Sequence, residues 1–198
     1  DGDYQFDMTT GLTNFAGESF VGFENVTMGN GNDTVTGTAQ DNEIEGLGGS
    51  DIINGGDGMD TIYGGDGQDT LNGGSGDDIV QGNYGMDLLI GGLGHDLLEG
   101  AQDADIFDFN SVLESPIGLT RDIIKDFYWK SGDKIDLSTI DADLTSPGNQ
   151  AFSGWSQLSY DPVSHIFTAD VIGGDDLSIE IMGDGMSSFF FSDGSVIL

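Results

Sequence analysis

The chain has 198 residues, 36 acidic and only 4 basic, for a formal charge of −32 at neutral pH, and it contains no cysteine. That balance excludes nucleic acid, which needs a basic footprint, and the missing cysteine excludes disulfides and thiolate metal sites. No apolar run approaches the roughly 18 residues of a membrane span.

The opening DGDYQF has no leader character and reads as the start of a piece cut from a longer chain. Upstream of residue 28, FVGFENV runs on without a linker, and Val26 sits nine residues before Val35. Residues 1–27 are therefore expected to form a degenerate leading coil.

From Met28 to Asp108 the chain repeats every nine residues on the template G-G-x-G-x-D-x-U-x, where U is a large aliphatic residue. GGDGMDTIY (55–63), GGDGQDTLN (64–72), GGSGDDIVQ (73–81) and GGLGHDLLE (91–99) match every fixed position. MGNGNDTVT, GTAQDNEIE, GLGGSDIIN, GNYGMDLLI and GAQDADIFD keep the phase with substitutions. A fixed short period sets the architecture, because each unit buries its apolar face only by stacking on its neighbours. Each unit divides into six turn residues and a three-residue strand. Glycines at positions 1, 2 and 4 permit positive φ and close backbone approach. Position 8 reads Val35, Ile44, Ile53, Ile62, Leu71, Val80, Leu89, Leu98 and Phe107, the inward side chains of a narrow core.

Two units make one coil, so units eighteen residues apart stack at the ordinary strand spacing of about 4.7–4.9 Å. Position 6 then forms two columns: Asp33, Asp51, Asp69, Asp87 and Asp105 in one, Asn42, Asp60, Asp78 and Asp96 in the other. Carboxylates and turn carbonyls, with no nitrogen or sulfur, are a hard-oxygen set that selects calcium over zinc or copper.

After Asp108 the glycine period ends. Arg121, Lys125, Lys130 and Lys134 lie together, interleaved with Tyr128 and Trp129. They are expected to neutralise the acidic cap, for instance against Asp122, Asp126, Asp133 and Asp136. The alternative is a basic and aromatic platform for an acidic polysaccharide, with Trp129 as its stacking face and Trp155 more suited to the core. HIFTADVI (165–172) and DLSIEIM (176–182) alternate as half-buried antiparallel strands, with Leu177, Ile179 and Ile181 on one face. Such strands would cap the open end of the solenoid. His95 is a turn residue, His165 has no phased partner, and no H-E-x-x-H occurs. G-G-S-G at 73–76 is a turn and not a nucleophile elbow, and the Asp77–Asp78 pair needs no glycosidase role. No catalytic residue is expected.

Residues 28–108 resemble the repeats-in-toxin (RTX) family, whose nonapeptides form a right-handed parallel β-roll, as in serralysin-type metalloproteases and alginate epimerase R-modules. The segment 105–141, with D-x-F-x-F, D-I-I-K-D-F and G-D-K-I-D-L-S, is similar to their post-roll region. The resemblance implies an all-β chain with a leading coil at 1–27, a roll at 28–108 and a β-rich C-terminal cap at 109–198. It also implies that each calcium takes carbonyls from positions 2 and 4 of one turn and from 1 and 3 of the turn stacked on it, plus both position-6 aspartates. Carried over, Gly29 and Gly31 join Gly46 and Gly48 between Asp33 and Asp51, and Leu47 and Gly49 join Gly64 and Asp66 between Asp51 and Asp69. Gly56 and Gly58 join Gly73 and Ser75 between Asp60 and Asp78, while Gly65 and Gly67 join Gly82 and Tyr84 between Asp69 and Asp87. Gly74 and Gly76 join Gly91 and Leu93 between Asp78 and Asp96. A sixth site falls between Asp87 and Asp105, weakened by Asp103 at position 4. Gln40 and Asn42 depart from the template and weaken a site between Asn42 and Asp60.

The resulting expectation is a noncatalytic, secreted, monomeric module with about five or six calcium ions, kept unfolded until type I secretion delivers it to calcium. The terminal SFFFSDGSVIL is similar to the C-terminal signals of type I substrates. The parent would be an exported enzyme, a serralysin-type protease first, whose catalytic domain lies outside the chain. The alternatives are a carbohydrate-binding R-module of a polysaccharide lyase or epimerase, and part of a surface adhesin.

Overall fold

A computed structural model describes residues 2–8, 12–13, 23–128, 130–140, 158–169, 176–182 and 196–197. Every regular element among them is a β-strand. The nine-residue period folds as a parallel solenoid of two facing sheets. One carries β4 (Thr34–Thr36), β6 (Ile52–Asp57), β8 (Thr70–Ser75), β10 (Leu88–Leu93) and β12 (Ile106–Asp108) in spatial order. The other carries β3 (Asn25–Thr27), β5 (Glu43–Gly48), β7 (Thr61–Asp66), β9 (Ile79–Tyr84) and β11 (Leu97–Gln102). Register is eighteen residues throughout, with Ile53 opposite Leu71 and Ile62 opposite Val80.

The position-8 residues from Val35 to Phe107 are all buried between the sheets. Full burial of one such side chain stabilises by about 1.5–3 kcal/mol, so the stacked row is the main apolar driving force of the roll.

The strands are longer than the expected three residues. From β5 to β11 each spans six, running from position 7 through position 3 of the next unit. The ladder skips only position 1: Glu45 pairs with Tyr63 and Leu47 with Gly65, but Gly46 has no partner. The true turn is thus three residues, positions 4 to 6.

Both ends carry the stacking beyond the repeats. β1 (Gln5–Asp7) lies parallel to β4 with Phe6 opposite Val35, and Val26 sits opposite Ile44, so the leading segment supplies a rung to each sheet. At the other end β13 (Ile123–Ile124) stacks on β11 and β14 (Lys134–Asp136) on β12. β16 (Ile166–Ala169) and β17 (Leu177–Ile181) are antiparallel, and β17 joins the roll through β13. Leu177, Ile179 and Ile181 are fully buried, on the single face that the alternation indicated. Phe127 packs on Phe107 with ring centroids 6.1 Å apart, closing the core.

Candidate metal centres

The glycines divide the labour. At positions 2 and 4 the backbone is left-handed, as at Gly65 (φ 112°) and Gly67 (φ 153°), where an L side chain is strained. Leu47 and Ala101 nevertheless adopt φ of 74° and 73° at position 2. Position 1 is glycine for a different reason. A Cβ on Gly46 would overlap Asp51 Oδ2 and meet the Gly64 carbonyl oxygen at 2.5 Å, and one on Gly55 would overlap Asp60 Oδ2 and lie 2.6 Å from the Gly73 carbonyl oxygen. The same pair, the unit's own aspartate and the carbonyl stacked above, converges at Gly64 and Gly73. Position 1 therefore holds open the point where two hard oxygens meet.

The aspartates themselves form two continuous ladders. The Asp33 N–H donates to Asp51 Oδ1 (2.7 Å), Asp51 to Asp69 (2.8 Å), Asp69 to Asp87 (2.9 Å) and Asp87 to Asp105 (3.0 Å). In the second column Asn42 donates to Asp60 (2.8 Å), Asp60 to Asp78 (2.7 Å) and Asp78 to Asp96 (2.9 Å). Each bond uses Oδ1 alone. The Oδ2 atoms of Asp51, Asp60, Asp69, Asp78, Asp87 and Asp96 are buried with no hydrogen-bond partner. Burial of unpaired carboxylate oxygen costs several kcal/mol per group unless a cation or a proton compensates it.

That burial is the main reason these carboxyls sit well above the usual aspartate value of 3.8. It pushes Asp51, Asp69, Asp87 and Asp96 up to about 6 and Asp78 and Asp105 to about 7, against backbone N–H groups that pull them down. Neighbouring carboxylates add to the rise, Asp96 and Asp60 for Asp78, for instance. Among the described residues no three carboxylate, histidine or cysteine side chains gather into a cluster able to hold a metal. Two aspartates with backbone carbonyls are what each stacked turn offers, and this oxygen-only donor set, with its orphaned Oδ2 atoms, fits a hard divalent cation. Turn hydrogen bonds align the partners further: Gly58 N–H donates to the Ser75 carbonyl (2.8 Å) and Gly67 N–H to the Tyr84 carbonyl (2.7 Å).

Unit 37–45 differs as its sequence suggests. Asn42 Oδ1 accepts from Thr38 N–H (2.7 Å), and Asn42 Nδ2, a donor, is buried without a partner where the other units have an oxygen. A second ladder, at position 5, escaped sequence reading: Asn32 Oδ1 accepts from Ser50 N–H, Asp41 Oδ1 from Met59 N–H and Asp77 Oδ1 from His95 N–H.

The post-roll cations and acids are placed differently from expectation. Arg121 pairs with Glu180 (3.7 Å) and Lys125 with Glu99 (2.6 Å), rather than with Asp122, Asp126, Asp133 or Asp136. Asp122 and Asp133 continue the two aspartate columns, accepting the N–H groups of Asp96 (2.9 Å) and Asp105 (3.3 Å). Asp126 accepts from Gly100 and Ala101 N–H, capping backbone that the next turn would otherwise pair. Lys125 follows β13 on one sheet, whereas Lys134 opens β14 on the other. Lys134 lines an open groove with Gln68, Thr70, Met86, Leu88 and Ile106. Lys130 is exposed, and Trp129 and Trp155 lie outside the described residues.

Stacked turns, an aliphatic row and two columns of half-satisfied aspartates define a cation-binding parallel β-roll. The family model for the RTX calcium-binding nonapeptide repeat matches residues 29–62, 52–80 and 81–111. Over this stretch the chain carries nonapeptide repeats of the RTX calcium-binding type. The solution structure of the AlgE6R3 subunit from the Azotobacter vinelandii mannuronan C5-epimerase is similar at 24% identity, covering 89% of this chain and 84% of that one with a TM-score of 0.40. No curated protein matches the chain.

Proposed function

We propose that this chain is a noncatalytic accessory module that folds around calcium outside the cell and steadies or positions a secreted parent enzyme. The observation that carries the reading is the row of buried Oδ2 atoms without partners, one in each repeat from residue 46 to residue 99, beside the stacked carbonyls over position 1. Five ions would lie between Asp33 and Asp51, Asp51 and Asp69, Asp69 and Asp87, Asp60 and Asp78, and Asp78 and Asp96. A sixth would lie between Asp87 and Asp105. Bound there, calcium supplies the positive charge that the roll lacks, since no Lys or Arg precedes Arg121.

Extracellular calcium modules have dissociation constants of roughly 10⁻⁴–10⁻³ M, so the chain would remain unfolded and exportable in a calcium-poor cytosol. Binding free energy then becomes folding free energy. Residues 1–27 serve as leading coil, 28–108 as roll and 109–198 as cap with a type I secretion signal, and the module works as a monomer. The favoured parent is an exported hydrolase or lyase, a serralysin-type protease ahead of a polysaccharide enzyme, since D-I-I-K-D-F and G-D-K-I-D-L-S after the roll resemble both. Anomalous scattering from calcium-loaded crystals tests the sites. Five or six peaks between the named aspartates support the reading; two or fewer at saturating calcium refute it.

The groove beside Lys134 favours a second reading, an R-module or adhesin segment that holds an acidic polysaccharide. Arg121 and Lys125 are engaged by Glu180 and Glu99, and Lys134 is the cation that lines this groove, where a polyanion would approach. Alginate titrated into calcium-loaded protein should bind, and a Lys134→Glu variant should not. Wild type that shows no heat at millimolar sugar residues ends this reading.

A further inference from the structure

We infer that Asp41, at the variable fifth position of a degenerate unit, positions the turn that holds the ion between Asp60 and Asp78. The inference rests on the placement of an ion at that step and assigns a role to a residue outside its donor set.

Unit 37–45 departs from the template at Gln40 and Asn42. Asn42 brings no carboxylate to its turn, and Gln40 N–H donates to Thr38 Oγ1 (3.1 Å), so side-chain hydrogen bonds take part in holding this turn. The unit nevertheless carries an exposed aspartate at position 41. Asp41 Oδ1 accepts the Met59 N–H (2.9 Å) of the turn stacked above, while Asn42 N–H donates upward to Asp60 Oδ1 (2.8 Å). These two bonds cross one step in opposite directions, and together they clasp turn 58–60 to turn 40–42.

The Met59 N–H and the Gly58 carbonyl belong to one planar trans peptide, so they point opposite ways. With the N–H held down on Asp41, the carbonyl faces the next turn up, where a Cβ on Gly76 would overlap the Gly58 oxygen. That oxygen therefore stands between turns 58–60 and 76–78. It is the step at which Asp60 N–H donates to Asp78 Oδ1 (2.7 Å) and at which the Oδ2 atoms of both aspartates are buried without partners. Asp41 acts through Gly58: it fixes the direction of a carbonyl offered to the ion and is a positioning residue, not a ligand. Groups that orient a metal's ligands raise affinity even when they do not meet the metal.

The bond needs an oxygen at position 5 and no charge. Asn32 makes it with an amide oxygen, accepting from Ser50 N–H (2.8 Å), and Asp77 makes it with a carboxylate, accepting from His95 N–H (3.0 Å). Charge and hydrogen bond can thus be separated at position 41.

Asp41→Asn keeps the acceptor oxygen and removes the charge; Asp41→Ala removes both. With folding followed by circular dichroism, the calcium midpoint of Asp41→Asn should stay near wild type. That of Asp41→Ala should rise by up to about fivefold, the factor that one hydrogen bond of ordinary net strength is worth. Equal rises in the two variants would assign the effect to charge, and no rise in either would leave Asp41 without a role; both results overturn the inference. Amide exchange of Met59 in calcium-loaded protein gives a second reading: slow in wild type and Asp41→Asn, fast in Asp41→Ala. Unchanged protection in Asp41→Ala also overturns it. A wild-type chain with no calcium transition overturns the reading of the roll as well, whereas a normal transition with the two variants alike overturns this inference alone.

Discussion

Asp78→Asn separates the cation from the hydrogen-bond ladder more cleanly than any other change in the roll. Asp78 faces Asp60 on one side and Asp96 on the other, so its carboxylate would serve two sites. Asparagine retains an oxygen for the Asp60 N–H, which now donates to Asp78 Oδ1 at 2.7 Å. What is lost is the negative charge and the unpartnered Oδ2. A site filled at about one hundred times its dissociation constant stabilises the folded chain by about 2.7 kcal/mol. Two impaired sites therefore cost up to about 5 kcal/mol, as much as the whole stability of a marginal domain. Urea unfolding in about 10 mM calcium should show this loss, and the calcium midpoint followed by circular dichroism should move to higher concentration. Asn42→Ala should leave that midpoint nearly unchanged, since Asn42 contributes no carboxylate. Equal midpoint shifts for the two variants would refute the two-column arrangement.

Gly64→Ala should weaken calcium binding at the Asp69–Asp87 step and destabilise the protein by about 1–3 kcal/mol, because its Cβ would overlap Asp69 Oδ2 and lie 2.9 Å from the Gly82 carbonyl oxygen; a calcium titration with urea melts checks both. Leu71→Ala, at a fully buried core position, should cost about 2–5 kcal/mol at saturating calcium, read from the urea midpoint. In chelator, acid should favour the roll. Burial raises Asp51, Asp69, Asp87 and Asp96 from 3.8 to about 6, Asp78 and Asp105 to about 7, and Asp122 to about 9 with Asp96 contributing, so the folded form prefers their protonated state. That stabilisation is complete below about pH 4 and disappears as pH rises through 6 to 9. β content of the calcium-free protein should therefore grow between pH 8 and pH 4, and a fall over that range would contradict the burial of the columns.

Much of this was legible because the repeat is strict. One invariant apolar position every nine residues gave the core, and the phased Asp33-to-Asp105 and Asp60-to-Asp96 series gave the columns. The six-residue strands were not legible. Positions 1 to 3, two of them glycine in the template, lack strand propensity, and positions 2 and 3 join the ladder only by pairing with the same positions one coil away, as Gly56 with Gly74 and Asp57 with Ser75. Asp122 and Asp133 were hidden by spacings of twenty-six and twenty-eight residues instead of eighteen. The signal was present as Asp-Ile-Ile and Asp-Lys-Ile, which echo the D-x-U of the repeat. Charge partners were misjudged because register decides them. Lys125 follows Ile124, which lies opposite Leu98, and so it meets Glu99; Glu180 lies opposite Ile123, two residues from Arg121.

Calcium as the agent of folding is tested most directly by far-ultraviolet circular dichroism, first in chelator at pH 8 and then with calcium raised to millimolar levels. The account requires a largely unfolded spectrum in chelator and a cooperative change to β structure as calcium is added, reversed by further chelator. Full β content in chelator, unchanged by calcium, would contradict it.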